Sequence, residues 1–124
     1  MRLKLLVASA ILLPSMASAQ AMNAESFYKR SQALIAKGPL ALLSQGEIKL
    51  LMTEGGNAGK AARAQRLAAL AAGKPPRACP PEKSTMNSDE FMKRLGAIPA
   101  AERARINMTE AMTRITIARF PCPR

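Results

Sequence analysis

The chain has 124 residues, a formal net charge of +11 and no histidine. This length suffices for one small domain, and two cysteines without histidine are too few ligands for an ordinary four-coordinate zinc site. The charge favours acidic partners, such as an acidic protein patch, anionic lipid or an envelope polymer. Nucleic acid is disfavoured, because the chain has only three phenylalanines and one tyrosine for base stacking.

The N-terminus has the three-part pattern of a secretory signal peptide. Two basic residues near the start precede an apolar run from Leu5 to Leu13, and small residues fill positions 17–19. A buried core helix is the alternative, but it explains neither the basic start nor the small residues. We therefore expect residues 1–19 to be removed by cleavage between Ala19 and Gln20.

The apolar run is much shorter than the roughly 20 residues of a membrane-spanning helix, and no later segment is apolar enough to span a bilayer. The sequence thus predicts a mature protein, residues 20–124, that is periplasmic or secreted. The expected fold class is all-α, a small helical bundle in a single domain. It divides into N-terminal helices over 20–73, a proline-rich linker over 74–85 and a helical hairpin over 86–124.

The N-terminal part predicts a first helix over residues 23–37, with Asn23 as its N-cap and a glycine–proline pair directly after it. A short apolar link follows, and its three leucines are expected to pack inward: Leu40, Leu42 and Leu43. A second helix is predicted from about 45 to 54, where Ser44 and Glu47 have the spacing of a capping box. Its apolar residues are expected to be buried: Ile48, Leu51 and Met52.

Three glycines within residues 55–59 predict a bend or a break, since each glycine costs about 1 kcal/mol in a helix. The helix is expected to resume over 58–72 and to end at Gly73. This second segment is rich in alanine and poorly amphipathic, so we expect it to be peripheral and not part of the core.

The densest group of cations lies on this segment and at the start of the linker. We term it the basic arm: Lys60, Arg63, Arg66, Lys74 and Arg77. One interpretation is a docking surface for an acidic partner. The other is a solvated helix face, which requires no partner.

The C-terminal hairpin has clearer helix signals. Asn87 and Asn107 each precede a helix whose third residue is glutamate, as in a capping box. If the two helices form an antiparallel hairpin, the start of the first lies beside the end of the second. That arrangement would bring Cys79 and Cys122 together.

These two cysteines are the only ones in the chain. In an exported protein of this size, an even number of cysteines indicates disulfides, and Cys79 and Cys122 allow one pairing. A metal site or a free nucleophile is the alternative, and neither has the histidine partner that it would ordinarily use. The predicted disulfide closes about 44 residues and would stabilise the fold by about 4 kcal/mol in the chain-entropy treatment.

No catalytic, metal or cofactor site is predicted. Residues 55–60 look like a phosphate-binding loop, but Glu54 stands where its first glycine belongs and Ala61 where a hydroxyl should bind magnesium. Without histidine, a serine or cysteine nucleophile would need a lysine base, and no spacing suggests one. A carboxylate pair for hydrolysis is the alternative that a single sequence leaves open.

The C-terminal part carries a distinctive order of motifs. Cys79-Pro80 follows a basic loop, and the last helix ends in Phe120-Pro121-Cys122. Between them lie further matching positions: Met86, Ser88, Leu95, Pro99, Ala100, Ala101, Ala111 and Met112. This order resembles the C-terminal half of the Rap1a/Tai family, over about residues 79–122. Members are small exported helical immunity proteins that bind and block amidase effectors delivered by type VI secretion, and the resemblance implies structural roles for the two cysteines.

Three hypotheses of function follow. The resemblance implies an immunity-type protein that catalyses nothing, uses no cofactor and occludes the cleft of an amidase effector bearing an acidic patch. The charge alone favours a periplasmic module that binds anionic envelope lipid or polymer through the basic arm. The third hypothesis is an unrecognised hydrolase that acts on a cell-wall substrate.

Overall fold

The computed structural model describes residues 20–124, so the predicted signal peptide, including Ala19, lies outside the described residues. In that range the chain forms six helices and no strand, which confirms the all-α prediction. The helices are α1 (Ala24–Ala36), a 3₁₀ helix (Gly38–Leu43), α2 (Gln45–Ala71), α3 (Ser88–Ala97), α4 (Ala100–Arg103) and α5 (Met108–Arg119). None of them is both long and apolar enough to cross a membrane.

Asparagine side chains begin three of the helices, as predicted. Asn23 Oδ1 accepts hydrogen bonds from two backbone N–H groups in the first turn of α1, at 3.0 and 3.1 Å. Asn87 and Asn107 each accept one at the start of α3 and α5. Ser44 holds the N-cap position of α2 as predicted, but the predicted capping box is wrong, because the Ser44 hydroxyl makes no cap hydrogen bond and instead accepts one from Lys37 Nζ at 3.0 Å.

Helix α2 runs without interruption through its glycines, so the predicted break at 55–59 is wrong. Two of these glycines, Gly55 and Gly59, lie where neighbouring helices approach. A Cβ atom on Gly55 would be 3.7 Å from Phe27 Cζ, and one on Gly59 would be 3.8 Å from Met112 Cε. Tertiary packing against α1 and α5 therefore overrides the low helix propensity of glycine.

The second part of α2 is not peripheral, which corrects the expectation for residues 58–72. The pairing of α2 with α5 is the most extensive between any two of the described helices, and Ala58 is buried. Small alanine side chains let the two helices approach closely. A helix that packs through alanine needs no stripe of large apolar residues, so its pattern is only weakly amphipathic. The predicted end is confirmed at Gly73, where a φ of +70° turns the chain away.

The core lies where α1, α2, α3 and α5 meet. Leu95 and Met108 are fully buried there, and Phe27 packs edge-on against Phe91 with 5.9 Å between the ring centroids. The start of α1 also pairs with the start of α5. The Ala24 N–H donates to the carbonyl of Ile106 at 2.9 Å, and the Met108 N–H donates to that of Met22 at 2.8 Å.

The predicted hairpin and its disulfide are confirmed, with α4 in the connection between α3 and α5. The end of α5 lies beside the start of α3, where an Arg119 N–H donates to the carbonyl of Thr85 at 2.9 Å. Cys79 and Cys122 form the disulfide, with 4.8 Å between their Cα atoms. The Cys79 N–H also donates to the carbonyl of Phe120 at 2.9 Å.

Candidate binding surface

Large apolar side chains are exposed in one part of the described chain. The strongly exposed ones all lie between residues 35 and 70: Ile35, Leu40, Leu42, Leu43, Leu50, Met52, Leu67 and Leu70. The expectations that three of these leucines pack inward and that Met52 is buried are therefore wrong. Concentrated apolar exposure of this kind indicates a surface for interaction.

An apolar groove lies between α1, α2 and the start of α3, with a cavity volume of about 500 Å³. Four methionines line it, and we term it the methionine groove: Met52, Met86, Met92 and Met112. Phe27 and Leu51 are buried and form its floor. Ile35 and Met52 stand at its rim with 59% and 73% of their surface exposed.

The lining of the groove is mostly apolar. None of its lining residues is titratable, and the polar ones are Ser31, Asn87 and Ser88. Gly55 and Gly56 belong to its wall, so the missing side chains of these glycines leave the groove open. Two of the glycines from which a helix break was predicted, Gly55 and Gly56, therefore form part of this groove.

The 3₁₀ helix between α1 and α2 carries a second apolar feature. We term it the leucine tip, defined as Leu40, Leu42 and Leu43, whose exposed fractions are 66%, 67% and 84%. Gly38 turns the chain out of α1 with a φ of +55°. The 3₁₀ helix packs mainly against α1 and α2, and the three leucine side chains remain exposed among the described residues.

The basic arm is not one uniform surface. Four of its side chains are exposed and one, Arg66, is half-buried. Among the exposed ones Arg77 is bound, because its guanidinium donates to both carboxylate oxygens of Glu110 at 2.7 and 2.9 Å. This residue therefore fastens the linker to α5. A docking role for the other four stays a prediction.

Arginines neutralise most of the glutamates in residues 20–124. The ion pairs are Glu25–Arg103, Glu47–Arg30, Glu90–Arg94, Glu90–Arg119, Glu102–Arg114, Glu110–Arg77 and Glu110–Arg114. No lysine takes part in an ion pair within this range, and all seven lysines there are exposed. Much of the surplus positive charge thus remains available to attract an acidic partner.

Two of these pairs lower the pKa of a glutamate. Hydrogen bonds from Arg30 hold the pKa of Glu47 below its ordinary value, and those from Arg77 do the same for Glu110. The Arg30 Nε and Glu47 Oε1 atoms are 2.6 Å apart. This pairing also explains why Glu47 does not complete a capping box with Ser44.

Arg103 is the one buried charged side chain of the described residues, with 6% of its surface exposed. Its Nε donates to Glu25 Oε2 at 2.6 Å, and its terminal N–H groups donate to the carbonyls of Gly96 and Ile98. The guanidinium lies over the Tyr28 ring, 4.0 Å from its centroid. Because Arg103 is buried and binds both Glu25 on α1 and the end of α3, it joins helices and is not accessible to a ligand.

A polar depression of about 790 Å³ opens beside Glu54 and includes Gln20. Glu54 is its only carboxylate, and its Oε2 accepts a hydrogen bond from the Met22 N–H at 3.2 Å. Glycoside hydrolysis needs a second carboxylate across the site, and this lining contains none. Within residues 20–124 no group of three or more histidines, cysteines, aspartates or glutamates could hold a metal ion.

Comparison with known proteins gives no relative, since no family model, no curated protein and no solved structure matches this chain. The resemblance to the Rap1a/Tai family over residues 79–122 accordingly stays a prediction. The methionine groove, the leucine tip and the basic arm are the features from which a function can be inferred.

Proposed function

We propose that this chain is an exported immunity-type binding protein that inhibits an amidase effector of type VI secretion by occluding its cleft. The methionine groove carries the proposal, because it is an open apolar surface without titratable lining. The disulfide supports an oxidising compartment such as the periplasm. The Rap1a/Tai-like order of motifs supports the immunity class.

The groove suits a segment of a protein partner. Methionine side chains are flexible and polarizable, so a groove that they line adapts to the shape of an apolar helix or loop. A segment at the edge of the effector's cleft would cover Ile35 and Met52, which are the exposed large apolar residues of the lining. Complete burial of such a side chain contributes about 1.5–3 kcal/mol, and the rest of the protein would then lie across the cleft.

The unpaired cations add to this interaction. Lys60 and Arg63 are exposed, and neither takes part in an ion pair within residues 20–124. Such charges accelerate association with an acidic partner more than they strengthen the complex. Salt should therefore slow the association without releasing a partner that the groove holds.

The first experiment is a pull-down with the tagged chain from cell-envelope extract at low and high salt, followed by mass spectrometry. We expect one amidase to stay bound at high salt, since salt screens exposed charges and not apolar contacts. The chain should also inhibit peptidoglycan cleavage by that amidase at equimolar amounts. Recovery of anionic material alone, or of an amidase that stays fully active, would contradict the proposal.

Two glycines of α2 provide a matched pair of variants for the groove. Gly56 belongs to its wall and Gly46 lies outside it, and both have open space where a Cβ atom would be placed. Phenylalanine at position 56 should fill the groove and abolish inhibition. The Gly46→Phe variant should inhibit like the unchanged protein. Equal inhibition by the two variants would exclude the groove as the binding site.

A further inference from the structure

We propose that the leucine tip binds anionic phospholipid bilayers and holds the protein at a membrane surface. The tip itself is separate from the methionine groove, since none of its three leucines lines the groove, and the proposal requires no effector. It rests on the exposure of the tip, on its internal hydrogen bonds and on the charges beside it.

The tip is apolar, and further exposed aliphatic side chains lie on the flanking helices. A 3₁₀ helix repeats every three residues, so Leu40 and Leu43 project from the same side, and Leu42 stands next to them. Ile35 near the end of α1 and Leu50 in α2 are also exposed. The 3₁₀ helix and the two helix ends that it connects therefore present five aliphatic side chains.

Hydrogen bonds within the tip prepare its backbone for a medium of low dielectric constant. The Leu40 N–H donates to the carbonyl of Lys37 at 3.2 Å, and Gln45 Nε2 donates to the carbonyl of Leu42 at 2.8 Å. Pro39 has no N–H group to satisfy. Because unsatisfied backbone groups are the main obstacle to membrane insertion, this turn enters the acyl boundary at little desolvation cost.

Positive charge flanks the tip on both sides. Lys37 precedes it and Lys49 follows it, and both are exposed. Glu47 is the only carboxylate in the segment from residue 35 to residue 50, and its pairing with Arg30 neutralises it. An apolar tip between unpaired lysines is complementary to acyl chains beneath anionic headgroups.

The composition favours a bilayer over a protein as the occupant. Energetically dominant residues of protein interfaces are mostly Trp, Tyr and Arg, with leucine under-represented among them. Lysine is depleted in such interfaces. The tip consists of leucines, lysines flank it, and it has no aromatic residue. A fluid bilayer accepts an exposed apolar surface without requiring a matching cavity.

The test uses protein expressed from the full 124-residue sequence, with intact mass establishing that all variants share one N-terminus. Binding is measured by flotation with vesicles of phosphatidylcholine and phosphatidylglycerol in equal parts, and with vesicles of phosphatidylcholine alone. Replacing Leu42 and Leu43 with serine should lower the partition coefficient on the anionic vesicles by about tenfold or more. Replacing Leu67 and Leu70 with serine removes two exposed leucines elsewhere and should change it by less than about twofold.

The flanking lysines should matter on anionic vesicles only. Each of Lys37→Gln and Lys49→Gln should lower the partition coefficient there by about fivefold, with the effect disappearing at high salt. An unchanged partition coefficient in both variants would overturn the charge part of the proposal. The Gly56→Phe variant should bind vesicles like the unchanged protein, so failure of the groove proposal leaves this result intact.

The chain has no tryptophan, which makes Leu43→Trp a specific reporter of depth. Its emission should shift to shorter wavelength when anionic vesicles are added. The proposal is overturned if the emission wavelength of Leu43→Trp does not change when anionic vesicles are added. It is also overturned if the unchanged protein does not float with these vesicles. It is likewise overturned if replacing Leu67 and Leu70 abolishes binding while replacing Leu42 and Leu43 does not. That result would assign the lipid contact to the segment of α2 that carries the basic arm.

Discussion

The two halves of the molecule, residues 20–73 and 74–124, treat their apolar surface in opposite ways. All the strongly exposed large apolar side chains of the described chain belong to the first half. All but two of the ion pairs lie entirely within the second half, and of the remaining two, Glu25–Arg103 joins the halves. The C-terminal half therefore fixes its charged side chains in ion pairs within the fold, whereas the N-terminal half leaves apolar area exposed to water.

The largest expected effect concerns the disulfide of the C-terminal half. Replacing both Cys79 and Cys122 with serine should lower the free energy of unfolding by about 4 kcal/mol, because the unfolded chain regains the freedom of a closed loop. Urea denaturation and the melting temperature measure this change. Reduction of the unchanged protein should give the same loss. An unaltered melting temperature in the double variant would show that the C-terminal half is stable without the disulfide.

The next effect tests the connection between the halves. Arg103→Ala should lower the free energy of unfolding by about 3 kcal/mol, since it leaves the carboxylate of Glu25 and two backbone carbonyls without their partner. Arg63→Ala is the control, because Arg63 is an exposed arginine without an ion pair in residues 20–124, and it should change stability by less than about 0.5 kcal/mol. Similar losses in both variants would contradict a special role for Arg103.

The glycines of α2 test whether the N-terminal half contains one continuous helix. Gly56→Ala should raise the free energy of unfolding by about 0.5–1 kcal/mol, because the position is helical, faces open space and gains helix propensity. Gly73→Ala should lower it by about 1 kcal/mol, since alanine is strained at a φ of +70°. Destabilisation by Gly56→Ala would indicate that α2 is interrupted there.

The smallest effect depends on pH. The pKa of Glu110 is lower in the folded chain than its ordinary value of 4.5, chiefly because Arg77 donates hydrogen bonds to it. Its pairing therefore stabilises the fold above the ordinary pKa, and that contribution is lost as the pH falls through the lowered value. Glu110→Gln should reduce the free energy of unfolding by about 0.5–1 kcal/mol at neutral pH.

The difference between Glu110→Gln and the unchanged protein should vanish in acid, as urea titrations at several pH values would show. Glu82→Gln serves as the control, because Glu82 is exposed in the linker and makes no ion pair among the described residues. A difference that persists below the lowered pKa would mean that Glu110 acts by some means other than its charge.

Features that depend on neighbouring residues along the chain were predictable from the sequence. Asn23, Asn87 and Asn107 cap their helices because a short side chain reaches the backbone N–H groups of the next turn. The disulfide was predictable because the chain has one pair of cysteines. These signals require no knowledge of which helices pack together.

Features that depend on packing between distant helices were not predictable. Gly55 was interpreted as a helix breaker because its contact with Phe27, on another helix, is invisible in the sequence. The leucines of the tip were expected inside because apolar residues usually are, and only the fold shows that nothing covers them. The burial of Arg103 likewise follows from the arrangement of α1, α3 and α4. The lining of the groove follows from that of α1, α2, α3 and α5.

The backbone pairing between the start of α1 and the start of α5 has a consequence for the order of folding. Met22 and Ala24 hydrogen-bond to residues 108 and 106, so the earliest part of the described chain is completed by almost the latest. A ribosome delivers the N-terminus first, and α1 must then wait without this partner until α5 emerges. Contacts between residues so far apart in the sequence slow folding, so α1 gains this pairing only after most of the described chain has been made.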